Sequence, residues 1–273
     1  MLLFVAFTLY PFLSGLLLSF TNNSPLARET RWVGLENYRA ILVHDQLFRG
    51  SVKNTLLYTV LLVPAQTIVA LLLALYVNRK LWAHEISRLV FFAPFVLSVS
   101  VVGIVWGWVL DTRYGLLNLL LRSLGLPGNI PWLTNVHWVM PGLTLPSLWW
   151  FAGFSMVLFL AGLQDIPAEL SEAAQVDGAN PRQVLRHVTL PLLRPVAALV
   201  VTLALVEAMK AFGLMFFLTD GGPAGASTTV VYDLYLSFQS LHMGYTSAIG
   251  FLLLLITLAA ALVRQLALKE VLI

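Results

Sequence analysis

The chain has 273 residues, of which 59% are hydrophobic and 11% charged, with a formal net charge of +3. Soluble globular domains carry roughly 25% charged residues, so this composition, with a mean hydropathy of +0.86, excludes a soluble domain and defines an integral membrane protein. The absence of cysteine removes disulfides, thiol nucleophiles and thiolate metal sites together, and no basic run with interleaved aromatics offers a nucleic-acid surface.

Six stretches, at 1–20, 54–78, 89–110, 137–163, 195–219 and 245–263, are long and apolar enough to cross about 30 Å of hydrocarbon as helices. They predict an all-α polytopic fold of about six transmembrane helices in one domain over 1–273. The first stretch has no basic flank, and Ser19-Phe20-Thr21-Asn22 is no small-residue cleavage site, so it reads as a retained, shortened first helix rather than a signal peptide. Residues 21–53 are polar, with Asn22, Asn23, Ser24 and Pro25 as turn formers and Trp32 and Tyr38 suited to the interface. Residues 115–124 carry a leucine run too short to span, which predicts an interfacial helix. Pro64, Pro94, Pro141 and Pro146 fall in or near the spans and predict kinks whose freed carbonyls find neighbours or water, while Gly103 and Gly107 have the spacing that lets helices approach closely.

The basic residues sort by loop. Arg79, Lys80 and Arg88, then Arg182, Arg186 and Arg194, then Arg264 and Lys269 share one side under six spans, whereas the opposite loops spread Arg28, Arg31, Arg39, Arg49, Lys53, Arg113 and Arg122 over a greater total length and 220–244 has no Lys or Arg. The positive-inside bias assigns that side, with both termini, to the cytoplasm.

Residues 164–194 are a polar island between two apolar stretches. Pro167 is expected in the first turn of a helix over about 167–176, with Asp165, Glu169 and Glu172 placed where the helix dipole favours negative charge. Gly178 supplies the left-handed residue that ends it. Asn180 caps a second helix that starts at Pro181 and is expected to stop at Pro191. Small residues at the tip suit a groove on another protein, with Glu172 free to pair with a cation there; a solvated helical loop is the competing reading.

The order Glu172-Ala173-Ala174, three residues, Gly178, then Leu190-Pro191 after eleven more resembles the EAA loop of bacterial ABC importer permeases. Gly34-Leu35-Glu36-Asn37-Tyr38, Leu218-Thr219-Asp220-Gly221-Gly222-Pro223 with Thr228-Thr229, and Met243-Gly244-Tyr245-Thr246-Ser247-Ala248 extend the resemblance to the sugar and glycerol-3-phosphate importers of the MalF/UgpA kind over nearly the whole chain. The chain departs from that pattern in lacking a basic lead-in and in having Phe212-Gly213 where many relatives have Phe-Asp.

The resemblance implies the transmembrane domain of a type I ABC importer. It makes the island a cytoplasmic coupling helix-turn-helix that docks on an ATPase subunit through Glu172, Ala173, Ala174, Asp177, Gly178 and Ala179, and makes Gly221, Gly222 and Pro223 an outer-loop motif. It further implies a second, MalG-like permease, two cytoplasmic ATPase subunits that use ATP and Mg, an extracytoplasmic solute-binding protein and a sugar, polyol or sugar-phosphate solute in an inner, lipid-embedded membrane setting. This chain has no G-x-x-x-x-G-K-[ST] phosphate loop and is expected to bind no cofactor itself.

Glu207 and Lys210 lie three residues apart in the fifth stretch, either facing a solute pathway or sealing a helix contact as a neutralised pair. Trp149, Trp150 and Phe154 either stack on a sugar ring or pack helices. Two other function classes are weaker. An intramembrane serine protease has only Gly153-Phe154-Ser155, without the following glycine, and His137 and His242 near span ends. An ion-coupled secondary transporter would use Glu207 and Lys210 but would not need the hairpin. The five histidines show no ligand spacing, so no metal site is expected.

Overall fold

The computed structural model describes residues 1–26, 29–78 and 84–272, and among them the regular elements are all helical. Arg28, Arg79, Lys80 and the side chain of Lys269, all part of the charge reading, lie outside what is described. Helix α1 covers Val5–Leu18 and α2 Gln46–Val77. A bent pair follows, α3 Glu85–Val96 and α4 Val99–Val109, then α5 Leu116–Ser123, α6 Val139–Gln164 and α7 Ala168–Val176. A second bent pair, α8 Pro181–Leu192 and α9 Arg194–Met209, leads to α10 Gly213–Thr219, α11 Val230–Gln239 and α12 Met243–Leu272.

Helices α2, α6 and α12 are each long and apolar enough to cross a membrane, the bent pairs bring the number of spans to as many as five, and α1 falls short of a full crossing. The stretch 89–110 is thus not one straight helix: α3 and α4 meet at 103°. Pro94 sits in a tight turn over Ala93–Val96, and Leu97 and Ser98 are extended, with ψ of 146° and 150°. Nor is 195–219 continuous. Helix α9 ends at Met209 and the chain restarts at Gly213 after Phe212, whose φ of −143° is not helical.

Helix α2 starts well before residue 54 because Asp45 caps it, accepting the Phe48 amide at 3.0 Å. Its 32 residues make about 48 Å of helix, more than the hydrocarbon thickness, so one end stands clear of the lipid. Pro64 and Pro146 lie within unbroken helices. The leucine run does form a helix, α5, with the polar Asn118 turned inward: its side-chain amide donates to the Ile130 carbonyl at 2.9 Å and accepts from Trp132 Nε1 at 3.0 Å. Leu116, Leu119 and Leu120 are exposed, as an interfacial helix requires. Helix α11 carries no long apolar run and was not expected; Thr229 caps it by accepting the Tyr232 amide.

Two buried polar links fix the register of the bundle. Tyr58 donates to Ser147 Oγ at 2.5 Å and Gln66 Nε2 donates to Ser155 Oγ at 2.9 Å, each joining residues 89 apart in sequence. Equal advance along both helices means that α2 and α6 run parallel. Their starts therefore share one end of the bundle with the 21–45, 110–138 and 220–242 segments, and their ends share the other with α7 and α8. Three apolar clusters stack along the axis: one around Ile41, Phe48 and Ile249 at the first end, one around Tyr58, Leu143 and Met215 in the middle, and one around Val77, Phe159 and Leu193 at the hairpin end. Helix α12 runs antiparallel to α1, with Phe12 against Phe251 at 5.2 Å, and near its far end the Arg264 guanidinium donates to the Ala198 carbonyl of α9.

At the crossing of α3 and α6, a Cβ on Gly153 would run into the Phe91 backbone carbonyl, whereas one on Gly50, in the first turns of α2, meets nothing within 4 Å. Gly153→Ala should therefore lower the stability of the purified protein by about 1–3 kcal/mol through overpacking. Gly50→Ala should raise it by up to about 1 kcal/mol through helix propensity; thermal melting in detergent reads the two opposite signs.

Candidate translocation site and coupling hairpin

In hydrocarbon an unpaired backbone carbonyl costs several kcal/mol, so broken helices persist at membrane depth only where they are buried in protein or line a cavity. The two breaks obey this together. A cavity of about 330 Å³ in the central cluster is bounded by Val99, at the α3–α4 break, and by Lys210 through Gly213, at the α9–α10 break. The Leu97 carbonyl, freed by the first break, accepts from Trp150 Nε1 at 3.2 Å. At the second, α9 ends with Lys210 as its cap residue, and the last-turn carbonyls of a helix lack partners along the helix.

Glu207 and Lys210 both line this cavity. Both are exposed to it, and the ion pair found among the described residues is Arg31 with Glu29, on the surface, rather than these two. They do not neutralise each other directly, and the cavity presents one acid and one base as separate groups. Of the three aromatic candidates only Trp150 reaches the cavity. Trp149 packs edge-on against Trp106 at 6.0 Å, and Phe154 stacks on Phe95 at 4.8 Å. Phe154 follows Trp150 by one helical turn, but Phe95 from the bent span covers it. Tyr58, Ser147 and Phe151, which were not singled out from sequence, also line the space, as does Phe212, noted there only as part of the Phe212-Gly213 departure. Their legible trace is polar residues recurring inside apolar stretches, Tyr58 with Gln66 and Ser147 with Ser155, at matching intervals.

The hairpin at the far end has its expected caps, shifted in detail. Pro167 is the residue before α7 rather than in its first turn. Gly178 has φ of +88°; its amide bonds the Gln175 carbonyl at 3.0 Å and the Ala179 amide bonds Ala174 at 2.9 Å, the paired closure that ends a helix on a left-handed glycine. Asn180 and Gln183 form a reciprocal capping box, at 2.8 and 3.0 Å. The second helix does not stop at Pro191. It runs to Leu192 because Leu185–Thr189 is a wide turn closed from Leu190 to Leu185, a backbone already shifted out of the usual ladder when it meets the residue without an amide. The chain bends instead at Leu193, by 64°, where Pro195 opens α9. No residue of α7 is buried: Glu172, Ala173, Asp177 and Gly178 are exposed, Ala174 and Ala179 half-buried.

At the opposite end, Gly221 and Gly225 have φ of +77° and +75°, and Asp220 is also left-handed at +49°. Ser227 Oγ donates to the Gly222 carbonyl at 2.6 Å, and Asn54 from α2 donates to the Gly225 and Thr228 carbonyls, both at 2.9 Å. Gly221, Gly222 and Pro223 thus form a turn tied to the first end of α2. Beneath it Asp233 is buried, takes a hydrogen bond from Ser51 at 3.4 Å, and lies near Asp45, which accepts from the Tyr245 hydroxyl at 2.5 Å. Burial, with the Asp45 carboxylate adding to it, pushes the Asp233 carboxyl up to about 6.

This arrangement, parallel and broken helices around a central cavity with an exposed capped hairpin at one end, is that of a membrane permease. The family described as "Binding-protein-dependent transport system inner membrane component" matches residues 66–271, and the chain belongs to it. It is 35% identical over 269 residues to the arabinooligosaccharides transport system permease protein AraP of Bacillus subtilis, covering 95% of this chain and 83% of that one. It is 33% identical over 262 residues to the multiple sugar-binding transport system permease protein MsmF of Streptococcus mutans, covering 94% and 88%. Its fold matches a bacterial alginate ABC transporter, solved in complex with an alginate pentasaccharide-bound periplasmic protein, with a TM-score of 0.84 at 22% identity over 99% of this chain and 91% of that one. Membership makes the chain an ABC importer permease and does not favour the ion-coupled alternative. Ser155, the serine of the protease reading, accepts from Gln66.

Asp233 yields a signed pH prediction. With its folded pKa above the usual carboxylate value, the folded state holds a proton that the unfolded chain has lost between about pH 4 and pH 6, so this group's contribution to stability falls as pH rises through that window. Asp233→Asn should flatten the difference in melting temperature between pH 4.5 and pH 7 and raise stability at pH 7.

Proposed function

We propose that this chain is one of two permease subunits lining the pathway of an ATP-driven importer for a carbohydrate-type solute. Its companion is a MalG-like permease; two ATPase subunits bind at the hairpin end, and an extracytoplasmic binding protein delivers solute at the other. The observation that carries the reading is the convergence of two broken spans on one central cavity holding Glu207, Lys210 and Trp150. An indole face beside separate acceptor and donor groups suits a ring with apolar C–H faces and a hydroxyl rim, and AraP and MsmF are named for oligosaccharide and sugar transport.

Coupling follows from connectivity. Helix α8 leads through the Leu193 bend into α9, which carries Glu207 in its last turns and Lys210 at its end. Leu193 is buried in the same cluster as Phe159 and Leu163 of α6, so displacement of the hairpin by a closing ATPase pair moves the cytoplasmic halves of α6 and α9 together. That motion alters access to the cavity from one side. Nucleotide supplies the difference in free energy between the two states, and Glu172, one of the exposed carboxylates of the hairpin, pairs with a basic residue of the ATPase under this reading. Under this reading the hairpin end is cytoplasmic, as are both termini.

In proteoliposomes holding the assembled importer, Glu172→Ala or Gly178→Asp should abolish ATP-driven uptake while membrane insertion and yield stay normal; uptake at the unmutated rate in both variants rules out hairpin coupling. Replacing Glu207 with Gln and Lys210 with Met together should change the solute range or cut uptake at least about tenfold, equivalent to about 1.4 kcal/mol. Unchanged transport and specificity remove both residues from pathway and gate.

A further inference from the structure

A second polar cavity, of about 380 Å³, lies between the Asp220–Gly225 turn and α11, at the end of the bundle opposite the hairpin. Its size lies within the range of small-ligand sites. Its floor is aromatic: Tyr235 stands edge-on to Phe216 at 5.6 Å and Tyr232 lies 6.1 Å from Tyr235. Its rim is a set of hydrogen-bonding groups already oriented by one another. The Tyr232 hydroxyl donates to Asp220 Oδ1 at 2.6 Å, leaving Asp220 Oδ2 as an acceptor. Gln239 Nε2 donates to the Tyr235 hydroxyl at 2.5 Å, leaving that hydroxyl its proton to donate and Gln239 Oε1 to accept. Asp220 is held in place by its left-handed backbone at φ +49°. An apolar platform under a rim of fixed donors and acceptors complements a pyranose or furanose ring, whose C–H face is apolar and whose edge is hydroxyl.

The charge of the cavity narrows the class. Asp220 is its one ionisable acid, and residues 220–244 contain no Lys or Arg. A phosphate or uronate would meet a carboxylate with no cation from that segment to offset it. The cavity is also joined to the central one: Phe212 lines the central cavity and Phe216 the outer one, and their rings stack at 5.5 Å. Tyr235 lies 5.2 Å from Phe212 as well, so one aromatic cluster forms a wall of both spaces.

We propose that the cavity between the Asp220–Gly225 turn and α11 is an outer saccharide subsite, selective for a neutral sugar unit, from which solute passes along Phe216 and Phe212 to the central cavity. The proposal rests on the carbohydrate reading above and adds a second binding position and a charge preference to it.

The test uses the full importer complex in detergent without its binding protein, and saturation-transfer NMR with three probes: maltotriose, arabinotriose and the anionic trigalacturonate. Expected are transfer to at least one neutral trisaccharide and none to trigalacturonate. Tyr235→Ala should weaken the neutral probe roughly tenfold, Tyr235→Phe by less, and Asp220→Asn should admit trigalacturonate. Trp150→Ala, which removes the indole from the central cavity and frees the Leu97 carbonyl, should lower the transfer signal only by the central cavity's share, and Tyr235→Ala in that background should remove the remainder. If Tyr235→Ala does not assemble, Tyr235→Phe and Asp220→Asn decide the question. Unchanged affinity in the Tyr235 and Asp220 variants, with loss in Trp150→Ala, overturns the outer subsite and leaves the central reading standing. A Tyr235 variant that keeps saccharide binding but loses docking of the sugar-free binding protein also overturns it, assigning the cavity to the receptor. Absence of saccharide binding and of saccharide uptake in the unmutated complex overturns both readings.

Discussion

Every backbone amide and carbonyl of this chain that enters hydrocarbon must find a partner within the protein, and the rest of the structure is arranged around the two places where helical pairing fails. At Leu97–Ser98 and again at Lys210–Phe212 the ladder is interrupted inside an apolar stretch. Neither interruption would be stable against lipid. They are stable because they meet beside one cavity within the protein, where Trp150 satisfies the Leu97 carbonyl. At the second break the Thr229 hydroxyl donates to the Ala211 carbonyl at 2.6 Å, so a side chain from α11's cap replaces the missing helical partner there.

The scaffold that holds the breaks in place is the parallel pair α2 and α6, locked by two polar links in matching register. Polar side chains inside a bundle are a weak source of net stability and a strong source of specificity: a slip of one turn would break both the Tyr58–Ser147 and the Gln66–Ser155 links at once. This register sets which segments share an end. It places the hairpin with the end of α2 and the Gly221–Gly222–Pro223 turn with its start, so that the two lie at opposite ends of the same continuous helices.

The hairpin was the most legible part of the chain. Its glycine closure and capping box depend on residues within a few positions of one another, and Gly178, Asn180 and Gln183 adopt the local geometry their chemistry demands. Two prolines fell elsewhere than expected: Pro167 precedes α7 instead of opening it, and Pro191 lies one residue inside the end of α8 because a wide turn upstream had already displaced the backbone, a feature with no residue signature of its own. The central site was half legible. Glu207 and Lys210 announce themselves as charges in an apolar stretch, but nothing local separates Trp150, which lines the cavity, from Trp149 and Phe154, which pack against Trp106 and Phe95. Helix α11 was missed because its apolar residues are interspersed with Asp233, Ser237 and Gln239 and the segment is too short to span.

The sequence by itself determined that this is a membrane protein of apolar helices with a capped, exposed hairpin, because hydropathy and capping are decided by composition and near neighbours. Tertiary structure alone decided where the spans break and what the breaks enclose. A broken helix is admissible only if a distant segment supplies partners or a cavity, and which segment that is, Leu97 against Trp150 and Val99 beside Gly213, follows from packing among residues more than fifty positions apart.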